Sequence, residues 1–410
     1  MIKNIIWLCT ALLFLTACGS NQFNEEESAH EPGGEDNISM EAVQTSINQL
    51  GLKAVSQLEE NEDGNRFVSP ISIWLAMNMA YHGANGETKA EIEQALILEH
   101  IDANALGSAN NSLLKEITKT EDDLELSLAN SLWLNESFTL QPTYQEQMKE
   151  QYLAQIEPLT TAEAINNWIA EQTNDRIDQM IDQVDPSLAL LLLNAVYFQG
   201  AWSYPFNEEW TEEQDFHLSD GDTVQAPFML LHEDVSYLEN EEVQAVALPY
   251  GEDESIQMHI FLPNEKSNFH DFQADFNLEK WQQWTKAMQI ETGSISLPSF
   301  ELEYETELNQ WFQELGIEQA FDPDQADFSN MLELTEPTNA YINDILHKTF
   351  ISVDEAGTEA AGTTSVSIDV TSAPLEDPFE MEVNRPFLFT ITDMEQGVIL
   401  FVGSMGNPGE

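Results

Sequence analysis

The sequence has almost no cysteine and very little positive charge. Its two cysteines are Cys9 and Cys18, both near the start. The chain beyond them can hold no disulfide, thiolate metal site or cysteine nucleophile. Lysine and arginine number 13 against 74 aspartates and glutamates, a formal charge of −61. That excludes a general nucleic-acid binder, which needs a basic footprint, and it repels phosphates and metabolic acids. Catalytic signatures are missing too. There is no Gly-x-Ser-x-Gly, phosphate-binding loop, dinucleotide fingerprint or His-Glu-x-x-His, and none of the 8 histidines has another at i+3 or i+4. A pair of glycosidase-type carboxylates cannot be singled out among so many acidic residues, which a solvated surface explains. No enzyme, cofactor or metal centre is expected.

What is present begins with the acidity itself. It is spread along the chain, so self-repulsion disfavours the compact state until salt screens it. This reads as adaptation to a saline environment; the plainer alternative is a merely acidic protein. Residues 1–17 read as a signal peptide, with Lys3, an apolar run from Ile5 to Phe14 and a small-residue cleavage site. The run is short for a membrane span. Its ending, Leu15-Thr16-Ala17-Cys18, resembles a bacterial lipobox, which makes Cys18 a lipidation site and the protein extracytoplasmic, anchored to the cell envelope or secreted. Residues 18–38 read as an acidic tether and 39–410 as one domain, since no linker interrupts them.

Along that domain, apolar spacing predicts helices over 41–58, 70–80, 88–96, 161–181 and 310–315. Ser69 and Pro70 open the second of these, and Gly316 closes the last. Leu126–Leu134, the apolar run Leu188–Phe198, Val246–Tyr250 and Met258–Pro263 predict strands. The class is mixed α+β, with helices early and strands later.

One stretch stands out. From Thr358 to Val370, one period-two face carries Thr358, Ala360, Gly362, Thr364, Val366, Ile368 and Val370. The other carries Glu359, Ala361, Thr363, Ser365, Ser367 and Asp369. Such a chain can lie in mid-sheet with one face on a core, although ordinary hairpins also alternate. Residues Asp354 to Thr363 resemble the hinge of an inhibitory serpin. Phe67-Val68-Ser69-Pro70, Gly83-Ala84-Asn85-Gly86, Asn194 to Trp202, Leu297-Pro298-Ser299-Phe300, His347-Lys348-Thr349-Phe350 and Asn384-Arg385-Pro386-Phe387 resemble further blocks of that family, in order.

The resemblance implies a serpin fold: a large central mixed sheet, smaller sheets, surrounding helices and an exposed reactive-centre loop. It implies a suicide inhibitor of serine proteases, in which loop cleavage is followed by strand insertion that traps the enzyme covalently. Glu355, Gly357, Thr358, Glu359, Ala360, Ala361, Gly362 and Thr363 would form the hinge. Ser69, Ser72, Asn194 and His347 would form a polar cluster beneath the sheet, with Trp202 at its upper opening. In the uninserted state Thr358 is expected near solvent. Counting from the hinge places the scissile bond at Thr371–Ser372; Val370 and Leu375 are the alternatives. No lysine or arginine lies between Lys348 and Arg385, so the target protease is expected to be elastase-, subtilisin- or chymotrypsin-like rather than trypsin-like. A monomer is expected. The competing reading is a non-inhibitory serpin that binds a partner.

Overall fold

A computed structural model describes residues 35–98, 101, 103–119, 124–185, 188–333, 340–358 and 378–409. Its helices are α1 (Glu35–Gln57), α2 (Pro70–Gly83), α3 (Gly86–Ala95), α4 (Ala103–Ile117), α5 (Pro142–Gln151), α6 (Ala162–Gln172), α7 (Phe269–Asp275), α8 (Leu278–Ala287) and α9 (Asn309–Glu314). Its strands are β1 (Arg66–Val68), β2 (Leu124–Leu134), β3 (Gln155–Pro158), β4 (Leu190–Ala201), β5 (Glu212–His217), β6 (Thr223–Glu239), β7 (Val243–Tyr250), β8 (Ile256–Pro263), β9 (Gln289–Pro298), β10 (Phe300–Glu307), β11 (Leu346–Val353), β12 (Gly357–Thr358), β13 (Phe379–Glu382), β14 (Phe387–Asp393) and β15 (Val398–Met405).

The strands form two sheets. One has nine strands, ordered β1-β15-β14-β8-β7-β6-β9-β13 with β5 on β6. The other has six, ordered β10-β11-β12-β4-β2-β3. Both are mixed, because β13 runs parallel to β9 and β3 parallel to β2. Helix α2 lies fully buried beside both sheets, packed on β15 and β4. Ser69 caps it, its hydroxyl accepting from the Ser72 N–H at 3.4 Å, and Pro70 occupies the first turn, where no N–H is missed. Strands β14 and β15 are buried on both faces; β15 reads as a largely apolar run, and β14 buries Thr390, Thr392 and Asp393 among its apolar residues. Edge strand β10 does the reverse: Phe300, Leu302 and Tyr304 face the core, while Glu301, Glu303, Glu305 and Glu307 are exposed.

Three expectations are corrected. The helix predicted over 161–181 stops at Gln172, because Asn174 and Asp175 adopt left-handed backbone and the Thr173 hydroxyl accepts the Ile177 N–H. Ile177 still packs beneath α6, so the apolar spacing was real but not helical. The strand-rich half contains, besides the expected α9, two helices that were not expected, α7 and α8, opened by Asn268 and Asn277 caps. Finally, α1 starts at Glu35, so residues 35–38, assigned to the tether, are helical.

Candidate functional site: the seam of the six-stranded sheet

Strands β4 and β11 run parallel to each other, and β12 stands between their upper ends, antiparallel to both. Thr358 opposes Val353 on one side and Gly200 on the other. We call the line between β4 and β11 the seam. Among the described residues, no ladder joins β4 to β11 directly.

The turn that delivers β12 is tied down by polar groups. The Asp354 carboxylate accepts the N–H groups of Ala356 (2.8 Å) and Gly357 (3.1 Å), while its own N–H donates to the Gly357 carbonyl at 2.9 Å. Burial pushes the Asp354 carboxyl above its usual range, against those two donors. Trp202 donates twice into the same turn: its backbone N–H to the Ala356 carbonyl and its indole N–H to the Asp354 carbonyl, both at 2.9 Å. Phe206 N–H reaches the Glu355 carbonyl at 2.9 Å, and Thr211 donates to the Glu355 carboxylate. Gly357 is required by close approach, since a Cβ there would sit 2.1 Å from the Gly200 carbonyl oxygen.

Thr358 is fully buried, which corrects the expectation that it lies near solvent. The reason is long-range pairing: its hydroxyl lies 2.7 Å from the Tyr250 hydroxyl, and the Tyr250 ring stacks on Trp202 at 4.3 Å. Burial drives the Tyr250 phenol well above its ordinary pKa, with the Thr358 bond pulling it back, so it stays neutral. The other expected hinge residues, Glu359, Ala360, Ala361, Gly362 and Thr363, lie outside the described residues, as do Thr371, Ser372, Val370, Leu375 and Cys18.

Further down the seam, His347 is buried and its Nε2 accepts the Ser69 N–H at 3.1 Å. Burial lowers its pKa to about 3, so it is a neutral acceptor here. Thr349, on the same face, donates to the Phe67 carbonyl at 2.6 Å. Core-facing β11 is thus fastened to the β1–α2 corner. Ser72 is buried in the first turn of α2. Asn194 sits on β4 opposite Asn130 of β2; its side chain is outside the description. The expected polar group therefore resolves into a described contact between Ser69 and His347, with Trp202 well separated at the upper opening. This is a hydrogen-bonded fastening, not a nucleophile and base, because the histidine nitrogen meets a backbone N–H.

The outer face of the seam is covered. Helix α6 and the residues 173–180 that follow it pack Ile165, Ile169, Ile177 and Met180 against Leu191, Leu193 and Ala195 of β4 and Phe350 of β11. At the lower end lies a cavity of about 420 Å³, lined by Ile181, Val184, Leu188, Leu191, Asn343 and Leu346 among others. Among the described residues, no group of three or more His, Cys, Asp or Glu is placed to hold a metal ion.

Sequence reasoning missed Tyr250 as part of this site, and it placed Asp354, Lys348 and Thr349 in family-like blocks without giving them a role. Tyr250 ends a strand more than 100 residues from its partner, and nothing local marks it. Lys348 had a signal: it is a cation on a strand, and Glu301-x-Glu303-x-Glu305-x-Glu307 offers it a row of carboxylates.

The geometry has counterparts. Residues 45–408 match the family model described as serpin (serine protease inhibitor). An uncharacterized serpin-like protein of Thermococcus kodakarensis is 35% identical over 89% of this chain and 86% of its own length. Serpin B8 of Homo sapiens is 33% identical over 85% of this chain and 95% of its own. The crystal structure of tengpin, a thermophilic serpin in its native state, superposes with a TM-score of 0.82 at 29% identity, covering 92% of this chain and 96% of that one. A family model spanning nearly the whole described chain and relatives matched over most of their length place this protein in the serpin family, whose members are generally protease inhibitors rather than enzymes.

Proposed function

We propose that this chain is a suicide inhibitor of serine proteases that traps its target by inserting residues 358 onward into the seam. The observation that carries the reading is β12: Thr358 of the hinge already pairs with both β11 and β4, and Gly357 pairs with β4. The residues that follow, Ala360, Gly362 and Thr364, are small on the face that Thr358 turns to the core. The protease serine would attack the carbonyl of Thr371, or of Val370 or Leu375. The amide breaks, the new amine leaves on the following residue, and an ester joins enzyme and inhibitor. Insertion then adds strand hydrogen bonds and buried apolar surface, which drives the bound protease away from its deacylation geometry. With no basic residue from 349 to 384, the bait suits elastase-, subtilisin- or chymotrypsin-like pockets.

Because Thr358 is buried before cleavage, it is a poor probe of insertion. Ala360→Arg is the better one: continued alternation puts it on the core face, whereas Ala361→Arg points outward. Against an elastase- or subtilisin-like protease, wild type should give an SDS-stable complex. Ala360→Arg should be cleaved and release active enzyme, and Ala361→Arg should stay close to wild type. Clean cleavage without any complex for wild type, across a panel of proteases, would favour the partner-binding alternative.

Two further readings accompany this one. We infer lipidation at Cys18 and an extracytoplasmic, envelope-anchored monomer; Cys18→Ser should move the protein to the soluble fraction or block processing. The −61 charge supports a salt-requiring surface. The melting temperature should rise steeply towards 1 M salt, where the screening length falls to ~3 Å, and a flat profile would refute that reading.

A further inference from the structure

His82 stands in the last turn of α2, buried against α5, and strand insertion makes no use of it. Its Nδ1 accepts from the side-chain amide of Gln147 on α5 at 2.8 Å, and the same amide nitrogen donates to the Gln151 Oε1 at 3.0 Å. Gln151 in turn lies on Gly107 of α4, where a Cβ would sit 1.8 Å from that oxygen. One polar chain thus runs from α2 through α5 to α4. With Nδ1 accepting, the ring proton is on Nε2, which is buried and has no partner among the described residues. Helix α5 is otherwise lightly held, since only Tyr144 and Met148 of its ten residues are buried. Just beyond it Leu153 takes left-handed backbone, φ 52°, with its side chain half exposed. A leucine keeps that conformation only while its surroundings impose it. We propose that His82 is a proton-operated clasp: neutral, it holds α5 on α2, and protonated, it lets α5 and the turn through Leu153 lift away.

A proton on Nδ1 sets two donors, the imidazolium and the Gln147 amide, face to face. Turning that amide alone would bring its oxygen against Gln151 Oε1, so both amides would have to turn together. Nor does an anion wait for the charge. The titratable groups around the ring are Tyr81 on its own helix, Tyr144 and Tyr152 in and just after α5, and Lys89 on α3. The Tyr81 and Tyr152 rings meet the imidazole edge-on at 5.3 and 5.6 Å, and the Lys89 ammonium lies 4.5 Å over the Tyr81 ring. Burial pushes the Tyr144 and Tyr152 phenols above their ordinary range, so they stay neutral. Burial first, and the charge of Lys89 second, hold the His82 pKa down to about 4. Once lifted into water the ring returns to about 6.5. The clasp therefore holds fully above pH 6.5 and weakens as pH falls from there towards 4.

The test is amide exchange over residues 142–154 of the uncleaved protein. Wild type is compared with each variant at the same pH, so that the intrinsic chemistry of exchange cancels. His82→Phe keeps a ring for Tyr152 and cannot titrate. Between pH 7.5 and 5.5 the ratio of wild-type to His82→Phe exchange should rise about tenfold, as linkage requires of a ring that titrates near 6.5 when lifted and near 4 when held. Lys89→Gln removes the repelling cation and brings the held pKa closer to the lifted one. Its exchange should therefore rise less than that of wild type over the same range. A pH-independent His82→Phe ratio would overturn the clasp; where that variant does not fold, a pH-independent Lys89→Gln ratio would do so. An equal rise over β14 and β15 would overturn it too, because that reports acid unfolding of the whole domain rather than the lifting of one helix.

Discussion

The β14–β15 hairpin and the β4–β11 seam are both central, yet they are built on opposite principles. The hairpin pairs seven residues of β14 with β15, is buried on both faces, stacks Phe389 on Phe67 and packs it at a tilt against Phe300 and Phe387. The seam is filled by a two-residue strand, lined by a neutral histidine and closed below by a cavity. Close packing commits the first region to one arrangement, because aromatic cores do not deform gradually. The second is held mainly by discrete polar ties, each of which can be released alone. One sheet supplies a close-packed frame; in the other, only the short β12 stands between β4 and β11.

The contrast predicts a graded set of effects. Phe389→Ala should be the most damaging, at about 3–5 kcal/mol of global stability. Urea unfolding should show it in both sheets at once; a loss confined to one sheet would mean the frame is not shared. Thr358→Arg comes next. It replaces a buried, hydrogen-bonded threonine with a charge that has no partner, at about 2 kcal/mol or more. The uncleaved variant should therefore melt lower than wild type, and an unchanged melt would show that β12 is not seated in solution.

Acid is the third probe. His347 is held neutral, near pKa 3, and His82 and His259 near 4. The unfolded chain binds protons below about pH 6.5 while these buried rings do not. Stability should therefore fall as pH drops below 6.5, and should be insensitive to these groups above it. His347 alone contributes about 1.4 kcal/mol of that loss by pH 5.5. His347→Gln can still accept the Ser69 N–H and should shallow the decline between pH 7 and 5.5. Identical slopes for the two proteins would show that the ring is not buried neutral. The mildest change is Tyr250→Phe, which removes one hydroxyl from Thr358 at about 1 kcal/mol. It should loosen the hinge without disturbing β14–β15, which exchange measurements at Gly357 and Thr358 can resolve.

Much of the frame was readable because its signals are local. Ser69 and Pro70 announce α2, and the run Leu188–Phe198 announces β4. The end of α6 was not, because Ile177 and Ile181 keep a helical spacing after the chain has turned at Asn174. Helices α7 and α8 are short, and their signals, an Asn cap each and the spacings Phe269/Phe272 and Trp281/Trp284, span too few turns to stand out. The hinge could be recognised in sequence, but not its seating. Thr358 is buried by residues 250, 353 and 200, and no window of sequence contains that encounter.

The exposed glutamates of β10 have a consequence for crowded solutions. An outermost strand offers free backbone groups to any second copy, and two such strands laid side by side would build a continuous intermolecular sheet. Here, four carboxylates at alternate positions would meet four more, and like charges in register oppose the pairing. Lys348 neutralises part of this row only from within its own molecule. The β10 rim is thus closed to growth by charge.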